Sequence, residues 1–507
     1  MRVLVSLLAL AALARLTAAA RILGVFGHVG RSHFDSFQPL LEELASRGHS
    51  LVVLSHFPRA SPLANYTDVS LVGCVEGLAS HGSVDAARAV GLGEWLFSPL
   101  LARFGARTCA DVLGHPPVRA LLSSDGRFDL VLTEVFNADC WLGFARRFRA
   151  PHVALSSHVL MPWAGGRVGN PDHPGHVRHL FSAAPASMSL LDRLRNTATL
   201  LYHKAAYRLV EATFGQGLVT ETFGAGTSLE DLRRNTSLVL VNTHFSVSGA
   251  RPLVPGVVEV GGMHIRPPAP LPQDLAEWVS GAEHGLVYFS LGSMVRPETL
   301  PEDKVLALLQ AFSELPQRVL WKWGGGDLPG RPANVRAARW LPQLTVLEHP
   351  KTLAFISHCG NLGTLEAVHA GVPVVGIPLY GDQPNNARSL EARGMAVLLP
   401  YPGITKDSVL RALRTVLEDP TYRDNAKRLS RAFNDRPSPP LQTAAYWVEY
   451  VLRHRGAPLL RSVGADLPWY QHLLLDVIGV LLLAAWAIAY LLRRAVASLR
   501  ARKSKTE

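Results

Sequence analysis

The segment from Phe355 to Asn386 has the pattern of a strand, a turn, a helix and a second strand. It reads FISHCGNLGTLEAVHAGVPVVGIPLYGDQPNN, with an apolar run on each side of a helical stretch and polar residues after both runs. Polar groups at the carboxyl ends of parallel strands are where open α/β sheets bind ligands. The turn Ser357–Asn361 opens the helix, so its free backbone N–H groups and the helix dipole suit a phosphate. The segment therefore predicts a parallel α/β domain with a diphosphate site.

Length and composition indicate a globular protein of more than one domain. The chain has 507 residues, 48% of them hydrophobic and 18% charged, which is more than one ordinary core accommodates. Much of the net charge of +11 comes from the basic carboxyl end, and no basic stripe alternates with aromatic residues, so nucleic acid is not expected as a partner. The four cysteines lie far apart without metal-ligand spacing, which argues against zinc and leaves one disulfide open.

Apolar runs alternate with helical stretches through the interior of the chain. Residues 21–250 carry runs such as RILGVFG, SLVVLS and FDLVLTEVF between helical patterns, which predicts a first parallel α/β domain. The proline-rich residues 251–272 predict an interdomain linker. Residues 273–435 repeat the alternation and predict a second domain, and residues 436–472 predict a C-terminal helix with a membrane-proximal segment.

Both ends of the chain predict a secretory membrane protein. Residues 1–20 have an early arginine, an apolar run and small residues, the pattern of a cleaved signal peptide. Residues 473–492 form an apolar run of bilayer length, preceded by Trp469 and Tyr470 and followed by the basic tail 493–507. The positive-inside rule places this tail in the cytosol. We therefore expect a single-pass type I protein whose domains lie in a lumen.

Short motifs agree with this topology. Lys503 and Lys505 occupy the fifth and third positions from the carboxyl end, which resembles the dilysine signal that returns type I proteins to the endoplasmic reticulum. Asn65 and Asn235 begin N-glycosylation sequons, which only a lumenal protein uses. We expect a glycosylated protein of the endoplasmic reticulum membrane. The sequence does not indicate an oligomeric state.

The spacing of polar and glycine residues resembles the signature of the UDP-glycosyltransferases. The matching groups are Ser357-His358, Gly360, Gly363, Glu366-Ala367, Gly371-Val372-Pro373, Gly381-Asp382-Gln383, Phe289 to Ser293 and Trp340 to Gln343. The resemblance covers essentially the whole chain, and the sequence looks more like arthropod members of the family than vertebrate ones. It implies a GT-B fold, in which two Rossmann-like domains face each other across a cleft, with the acceptor mainly on the first and the UDP-sugar on the second. It also implies an inverting transfer without a metal or other cofactor, and the sequence contains no Asp-x-Asp pair.

The resemblance assigns the nucleotide part of the donor site. Trp340 would stack on the uracil and Gln343 would bond nearby, since a flat apolar ring suits a flat base. Glu366 would hold the ribose hydroxyls. The residues that would contact the diphosphate are His358, Gly360 and Ser293. The alternatives are core packing for Trp340 and a dipole-favoured acid at a helix start for Glu366.

The sugar would be held by Asp382 and Gln383, because a carboxylate accepts from two hydroxyls and an amide both donates and accepts. Their alternative role is a turn before Pro384. Two departures from the family pattern stand nearby. Cys359 replaces a common glycine and would bring a side chain close to the diphosphate, and Leu362 replaces an asparagine of vertebrate members.

The candidate catalytic base is His33, which follows the first strand and begins a helical pattern. A neutral imidazole can take the proton of an acceptor hydroxyl while that oxygen attacks the anomeric carbon. His28 is a rival by position. A carboxylate would orient the ring, as in a Ser-His-Asp triad; the sequence leaves Asp139 and Glu134 as candidates, and we favour Asp139.

The sequence thus predicts an inverting hexosyltransferase that uses a UDP-sugar, with UDP-glucose expected, and a small lipophilic acceptor. A glucuronosyltransferase on the same fold is one alternative. A membrane-tethered UDP-sugar-binding protein without turnover is another, although retention of His33, Glu366, Asp382 and Gln383 argues against it.

Overall fold

The computed structural model describes residues 19–75, 83, 95–182, 184–185, 187–325, 328 and 330–503. Within these ranges the chain forms two parallel sheets, each covered by helices, with a cleft between them. The predicted signal peptide lies almost entirely outside the described residues, and so does Lys505 of the dilysine-like motif.

The first sheet has seven parallel strands in the order β3-β2-β1-β4-β5-β6-β7. Their bounds are β1 (Arg21–Phe26), β2 (Ser50–Ser55), β3 (Tyr66–Ser70), β4 (Leu130–Glu134), β5 (His152–Ser156), β6 (Thr236–Val241) and β7 (Val257–Glu259). The central strands are continuous aliphatic runs because helices cover both of their faces. The order reverses between β1 and β4, so the carboxyl ends of these two strands open onto the crevice where such sheets bind ligands.

Helices connect and cover these strands. They are α1 (Arg31–Ser46), α2 (Phe97–Gly114), α3 (Pro116–Ser123), α4 (Leu142–Phe148), α5 (Leu190–Val210), α6 (Gln216–Phe223), α7 (Leu229–Arg234) and α8 (Phe245–Ser248). A disulfide joins Cys109 of α2 to Cys140 in the loop after β4. This is the one pairing among the four cysteines, since Cys74 and Cys359 are free.

The second sheet has six parallel strands in the order β10-β9-β8-β11-β12-β13. Its strands are β8 (Leu286–Ser290), β9 (Arg318–Lys322), β10 (Val335–Ala338), β11 (Thr352–Ser357), β12 (Val374–Gly376) and β13 (Ala396–Leu398). Its helices are α9 (Gln273–Ser280), α10 (Glu302–Ser313), α11 (Gln343–Glu348), α12 (Asn361–Ala370), α13 (Gln383–Glu391), α14 (Lys406–Glu418) and α15 (Pro420–Asn434). The sheet has the same order reversal, here between β8 and β11.

Two segments assigned by sequence to later regions complete the first domain. The predicted linker contains β7, which pairs with β6 at the edge of the first sheet. Helix α16 (Pro440–Arg453) crosses back and buries Ala444, Ala445, Val448 and Val451 in the core formed by α1, β1 and β4. Arg47, the residue after α1, donates to both oxygens of Glu449 at 3.2 Å. The sequence patterns of β7 and α16 did not indicate that both elements pack in the first domain.

The chain ends in α17 (Trp469–His472) and the long α18 (Leu475–Lys503). Helix α18 contains most of the predicted transmembrane stretch and is long and apolar enough to cross a membrane, with none of that apolar span buried inside the protein.

Candidate active site

The two sheets open onto a shared cleft of about 360 Å³. The cleft is lined by the loop after β1 and the start of α1 on one side, and by the loops after β8 and β11 and the starts of α12 and α13 on the other. Of the predicted site residues, seven donor residues and His33 line it: Ser293, Gln343, His358, Gly360, Glu366, Asp382, Gln383 and His33.

His33 lies in the first turn of α1 with its Nδ1 atom 2.6 Å from Oε1 of Glu134. Glu134 is the last residue of β4 and is 6% exposed. The Ser157 hydroxyl donates to the same carboxylate oxygen at 3.0 Å and lies 3.0 Å from His33 Nδ1. The carboxylate thus holds the Nδ1–H tautomer of the imidazole and leaves Nε2 for a substrate.

The electrostatic surroundings keep His33 neutral. Burial lowers the pKa of its imidazole to about 4, while the Asp382 carboxylate of the second domain acts to raise it. Burial raises the pKa of the Glu134 carboxyl above its usual range, and nearby His28, His158 and the Ser157 hydroxyl oppose this rise. A neutral imidazole next to an acidic partner is the state that a general base requires.

The structure corrects the preference for Asp139 as the partner of His33. Asp139 is buried behind the cleft and forms ion pairs with Arg167 and Arg233. Its backbone N–H donates to Glu211 at 3.2 Å. Burial acts to raise the pKa of Asp139, but the charges of Arg167 and Arg233 outweigh it, and the pKa lies below its ordinary value. Asp139 therefore neutralises two buried arginines, and Glu134 contacts the histidine.

Aromatic and apolar side chains surround the base on the side of the first domain. The ring of His28 lies 4.5 Å from that of His33, and Phe136 lies at the same distance between centroids. Burial lowers the pKa of His28 to about 3, so this rival also stays neutral. Phe97 and Leu101 of α2 complete an apolar wall. The disulfide from Cys109 to Cys140 fastens α2 to the loop that carries Phe136.

Two glycines make room for the imidazole of His358. A Cβ atom at Gly292 would lie 2.6 Å from that ring, and one at Gly360 would lie 2.5 Å from its Nε2. Gly292 also has φ of +82°, which side chains rarely adopt. Nδ1 of His358 is buried and has no hydrogen-bond partner among the described residues. The imidazole is thus clamped at the start of α12, with its buried Nδ1 atom unpartnered.

Gln343 and Glu366 contact each other directly. Gln343 Nε2 donates to the Glu366 carboxylate, and Tyr288 donates to Gln343 Oε1 at 3.1 Å. Burial raises the pKa of Glu366 to about 7, although Gln343 and Lys322 oppose this shift. Trp340 does not line the cleft; its indole is 72% exposed on the rim before Gln343. Its stacking role remains a prediction.

Asp382 and Gln383 lie at the start of α13, facing the first domain. Asp382 accepts from Asn386 Nδ2 at 2.7 Å. Gln383 uses its Oε1 to accept from the backbone N–H groups of Leu379 and Tyr380, at 2.8 and 3.1 Å. Its amide nitrogen therefore remains as the donor toward the cleft.

Of the two departures from the family pattern, Leu362 lines the cleft, whereas Cys359 lies in the core and not beside the cleft as expected. Cys359 has a left-handed φ of 62° and is fully buried in the core. Its sulfur packs so closely on Gly376 that a Cβ atom added there would lie 2.8 Å from it. Its side chain therefore does not line the cleft. Asn361 donates from Nδ2 to the backbone oxygens of Ser157 and Asn242, at 3.0 and 2.9 Å, and so joins the domains.

Lys322 is a lining residue that sequence reasoning missed. It ends β9 and donates from Nζ to the Gly292 backbone oxygen at 3.0 Å. Burial is the larger cause of the lowered pKa of His358, and the charge of Lys322 lowers that pKa further. The same charge acts to lower the pKa of Glu366. The sequence did not indicate that Lys322 lines a site, because a lysine at the end of a strand is usually solvated.

The described residues contain no group of three or more His, Cys, Asp or Glu side chains arranged to hold a metal ion. The two sequon asparagines, Asn65 and Asn235, are both exposed on the first domain.

A family model described as "UDP-glucoronosyl and UDP-glucosyl transferase" matches residues 100–505 of the chain. The chain is 40% identical over 479 residues to UDP-glycosyltransferase UGT5 of Dactylopius coccus, covering 91% of this chain and 88% of that one. It is also 34% identical over 484 residues to UDP-glucuronosyltransferase 2B17 of Rattus norvegicus, covering 91% and 90%.

Solved structures show the same architecture. The glycotransferase of kitacinnamycin matches with a TM-score of 0.58 and 18% identity, over 86% of this chain and 100% of that one. CalG4, the calicheamicin glycosyltransferase, matches with a TM-score of 0.55 and 21% identity, over 86% and 99%. At these identities the likeness shows the fold alone.

Proposed function

This chain belongs to the family of UDP-glucuronosyl and UDP-glucosyl transferases, and we propose that it transfers glucose from UDP-glucose to a hydroxyl of a small lipophilic acceptor. Its fold is the GT-B fold, and it is a UDP-glycosyltransferase with a UDP-sugar as co-substrate. The choice of glucose, the inverting course, the metal-free reaction and the lipophilic acceptor are the proposed parts. The observation that carries the proposal is the contact between His33 and Glu134, facing Asp382 across the cleft.

In the proposed reaction His33 Nε2 takes the proton of the acceptor hydroxyl as its oxygen bonds to the anomeric carbon. The bond from that carbon to the UDP oxygen breaks, and its electron pair leaves with the diphosphate. Attack from the side opposite to UDP inverts the anomeric carbon. Glu134 stabilises the imidazolium that forms, and Ser157 keeps the carboxylate in place.

The leaving diphosphate gains negative charge, and the protein supplies donors for it. The first turn of α12 offers free N–H groups, and His358 and Ser293 lie beside it. Lys322 adds a positive charge next to Gly292. Together these groups support a transfer that needs no metal.

The charges of the cleft favour a neutral hexose over glucuronate. Asp35, Glu366 and Asp382 line it, whereas Lys322 is the one Lys or Arg among its described lining residues. The carboxylate of glucuronate would meet acidic neighbours at the sugar end, where Asp382 lies. The apolar wall of Phe97, Leu101 and Phe136 suits a lipophilic acceptor.

We place the catalytic domains in the lumen of the endoplasmic reticulum, with α18 as a single type I span. Exposed sequons at Asn65 and Asn235 and the basic residues after the apolar run support this topology. Protease protection of the domains in sealed microsomes, with glycosidase-sensitive mass, tests it; digestion of the domains without permeabilisation would contradict it.

The decisive test is UDP release by the full chain with UDP-glucose, UDP-glucuronate, UDP-galactose and UDP-xylose over a panel of phenols and steroids. We expect turnover with UDP-glucose and a product of opposite anomeric configuration by NMR. Loss of turnover in His33→Ala, with retention in the exposed control Arg411→Gln, would assign the activity to this site. Glucuronate as the sole donor would overturn the sugar assignment, and saturable UDP binding without turnover would favour the tethered binder.

A further inference from the structure

A second, smaller cavity of about 40 Å³ lies outside the catalytic cleft, between the loop after β5, α5 and the start of the predicted linker. Arg178 and Arg251 both line it, and we refer to it as the Arg178–Arg251 cavity. Asp172 lines it as well, but this carboxylate is paired with Lys204. Two arginines thus share an enclosed space whose one acid is already neutralised.

The hydrogen bonds of these arginines go to neutral acceptors. Arg178 donates from Nη1 to the Ala184 oxygen at 3.0 Å and from Nη2 to the Ser389 hydroxyl at 2.8 Å. Arg251 donates from Nη2 to the Ser248 oxygen at 3.1 Å. Its Nε atom is buried and has no acceptor among the described residues. A buried charged donor without an acceptor is costly, so this atom calls for a ligand.

A third arginine adds to the positive charge. Arg393 donates to the Ser389 oxygen at 2.8 Å, so it shares a residue with Arg178. Burial, followed by the charges of Arg393, Arg251 and Arg388, lowers the pKa of Arg178 to about 10. Within the described ranges Arg178, Arg251 and Arg393 form no ion pair with a carboxylate. The Glu259 carboxylate acts on Arg251, but the charges that act on Arg178 are those of arginines alone. Like charges held together away from water repel, and a counterion beside Arg178 would relieve this.

We propose that the Arg178–Arg251 cavity binds a small inorganic anion, chloride or a tetrahedral oxyanion such as phosphate. A volume of about 40 Å³ admits one such ion or about three waters. It is too small for a nucleotide or a lipid headgroup. The guanidinium groups of Arg178 and Arg251, which both line the cavity, supply the donors, and planar guanidinium groups suit oxyanions in particular.

The anion would hold the two domains together. Arg178 belongs to the first domain, whereas Ser389 and Arg393 lie at the carboxyl end of α13, whose first turn carries Gln383 next to Asp382. Neutralising the arginines lets the first domain stay against α13. The ion is therefore a structural stabiliser of the closed cleft, separate from the transfer reaction itself.

Thermal unfolding of the full chain in detergent tests this, at pH 7.5 and equal ionic strength, in sodium gluconate, chloride or phosphate. We expect chloride or phosphate to raise Tm by at least about 2 °C over gluconate, with saturation; the anion that saturates at the lower concentration is the preferred one. Arg251→Met should abolish the increment, and the exposed control Arg411→Gln should retain it.

Line broadening of ³⁵Cl in NMR gives a direct second measurement on the unmodified protein. We expect broadening that phosphate reverses, and that Arg251→Met and Arg178→Gln lack. Equal Tm in all three salts without chloride broadening would overturn the proposal, and so would an increment that survives Arg251→Met. If Arg251→Met does not fold, the Arg178→Gln variant and the unmodified protein decide the matter.

Discussion

Asn361 donates a hydrogen bond from its side-chain amide to the backbone oxygen of Ser157, 3.0 Å away. Asn361 begins α12 in the second domain, whereas Ser157 follows β5 in the first and contacts both His33 and Glu134. The same amide donates to the Asn242 oxygen. One side chain therefore connects the helix proposed to bind the diphosphate with the proposed catalytic pair, His33 and Glu134.

Replacing Asn361 by alanine is expected to impair both stability and turnover. The buried Asn242 oxygen would lose its donor, and the Ser157 oxygen would keep only the Asn242 amide, at 3.2 Å; an unsatisfied buried acceptor costs about 1–3 kcal/mol of unfolding free energy. The catalytic groups would shift relative to the donor, and misplacement of this kind lowers kcat/KM by up to about 10²-fold. Urea unfolding and UDP-release kinetics measure the two effects.

The matched control is Asn425→Ala, which removes a hydrogen bond to the Gly394 oxygen within the second domain. It should lower stability with little change in kcat/KM. Equal losses of kcat/KM in both variants would show that Asn361 contributes only to general stability.

Glu134→Gln should lower kcat by about 10²- to 10⁴-fold, because the amide cannot stabilise the imidazolium of His33. The amide has nearly the same size, so the unfolding free energy should change little. UDP-release kinetics at saturating donor and acceptor measure the effect, with the exposed Glu302→Gln as control. A variant with wild-type kcat would remove Glu134 from the mechanism.

Asp139→Asn should act on stability. It would leave the charges of Arg167 and Arg233 buried without their carboxylate, which costs about 3–5 kcal/mol. We expect a lower urea midpoint and an unchanged kcat for each folded molecule. A fall in kcat at unchanged stability would instead restore Asp139 as the partner of His33.

Gly360→Ala should weaken UDP binding by at least about tenfold, or about 1.4 kcal/mol. The new methyl group would lie 2.5 Å from His358 Nε2 and displace the imidazole. Isothermal titration with UDP measures the change. Gly403→Ala is the control, because its Cβ would meet nothing within 4 Å. Unchanged affinity in Gly360→Ala would show that the position of His358 does not matter for the diphosphate.

Acid should destabilise the protein at a pH where most carboxylates are still charged. Burial lowers the pKa of eight histidines to about 3 or 4: His28, His33, His152, His179, His203, His244, His264 and His358. The unfolded state takes up protons near pH 6.5, whereas the folded state does so only near pH 4. Since the unfolded state binds more protons in this window, stability falls as pH falls through it.

Carboxyl groups whose pKa is raised by burial have the opposite effect on how stability depends on pH. Burial raises the pKa of Glu366 to about 7 and of Glu211 to about 8, so their contribution is lost as pH rises. The histidines outnumber them, and we expect Tm to drop between pH 6.5 and 4.5. His152→Gln should reduce the slope, because glutamine can replace its hydrogen bonds with Thr133 and Thr236 without titrating. A flat Tm would contradict this account.

The sequence was sufficient to predict the alternating architecture and to select residues of which most line one cleft. The aliphatic runs became β1, β2, β4 and β5 because each is buried on both faces, a condition that composition alone reveals. The donor residues came together because each follows a strand of the same sheet or begins the next helix. The order of strands and helices along the chain is enough to bring these residues together, and contacts between residues far apart in the sequence need not be known.

The choice between Glu134 and Asp139 needed the structure. Both follow the same strand, and the decision depends on Arg167 and Arg233, which lie 28 and 94 residues further along the chain. The hydrogen bonds of Asn361 and the cysteine pairing are similar cases. Local patterns specify which residues are buried, but they do not specify the partner that a buried charge or thiol meets.

Helix α16 has a consequence for the order in which the protein is made. Its residues Ala444, Ala445, Val448 and Val451 fill the core of the first domain, which is synthesised some two hundred residues earlier. While the ribosome translates the second domain, Leu40, Leu41 and Leu44 of α1 belong to a core without its last helix. The nascent first domain is therefore incomplete until almost the whole chain has emerged, and a fragment ending at residue 250 would present that open apolar surface to chaperones.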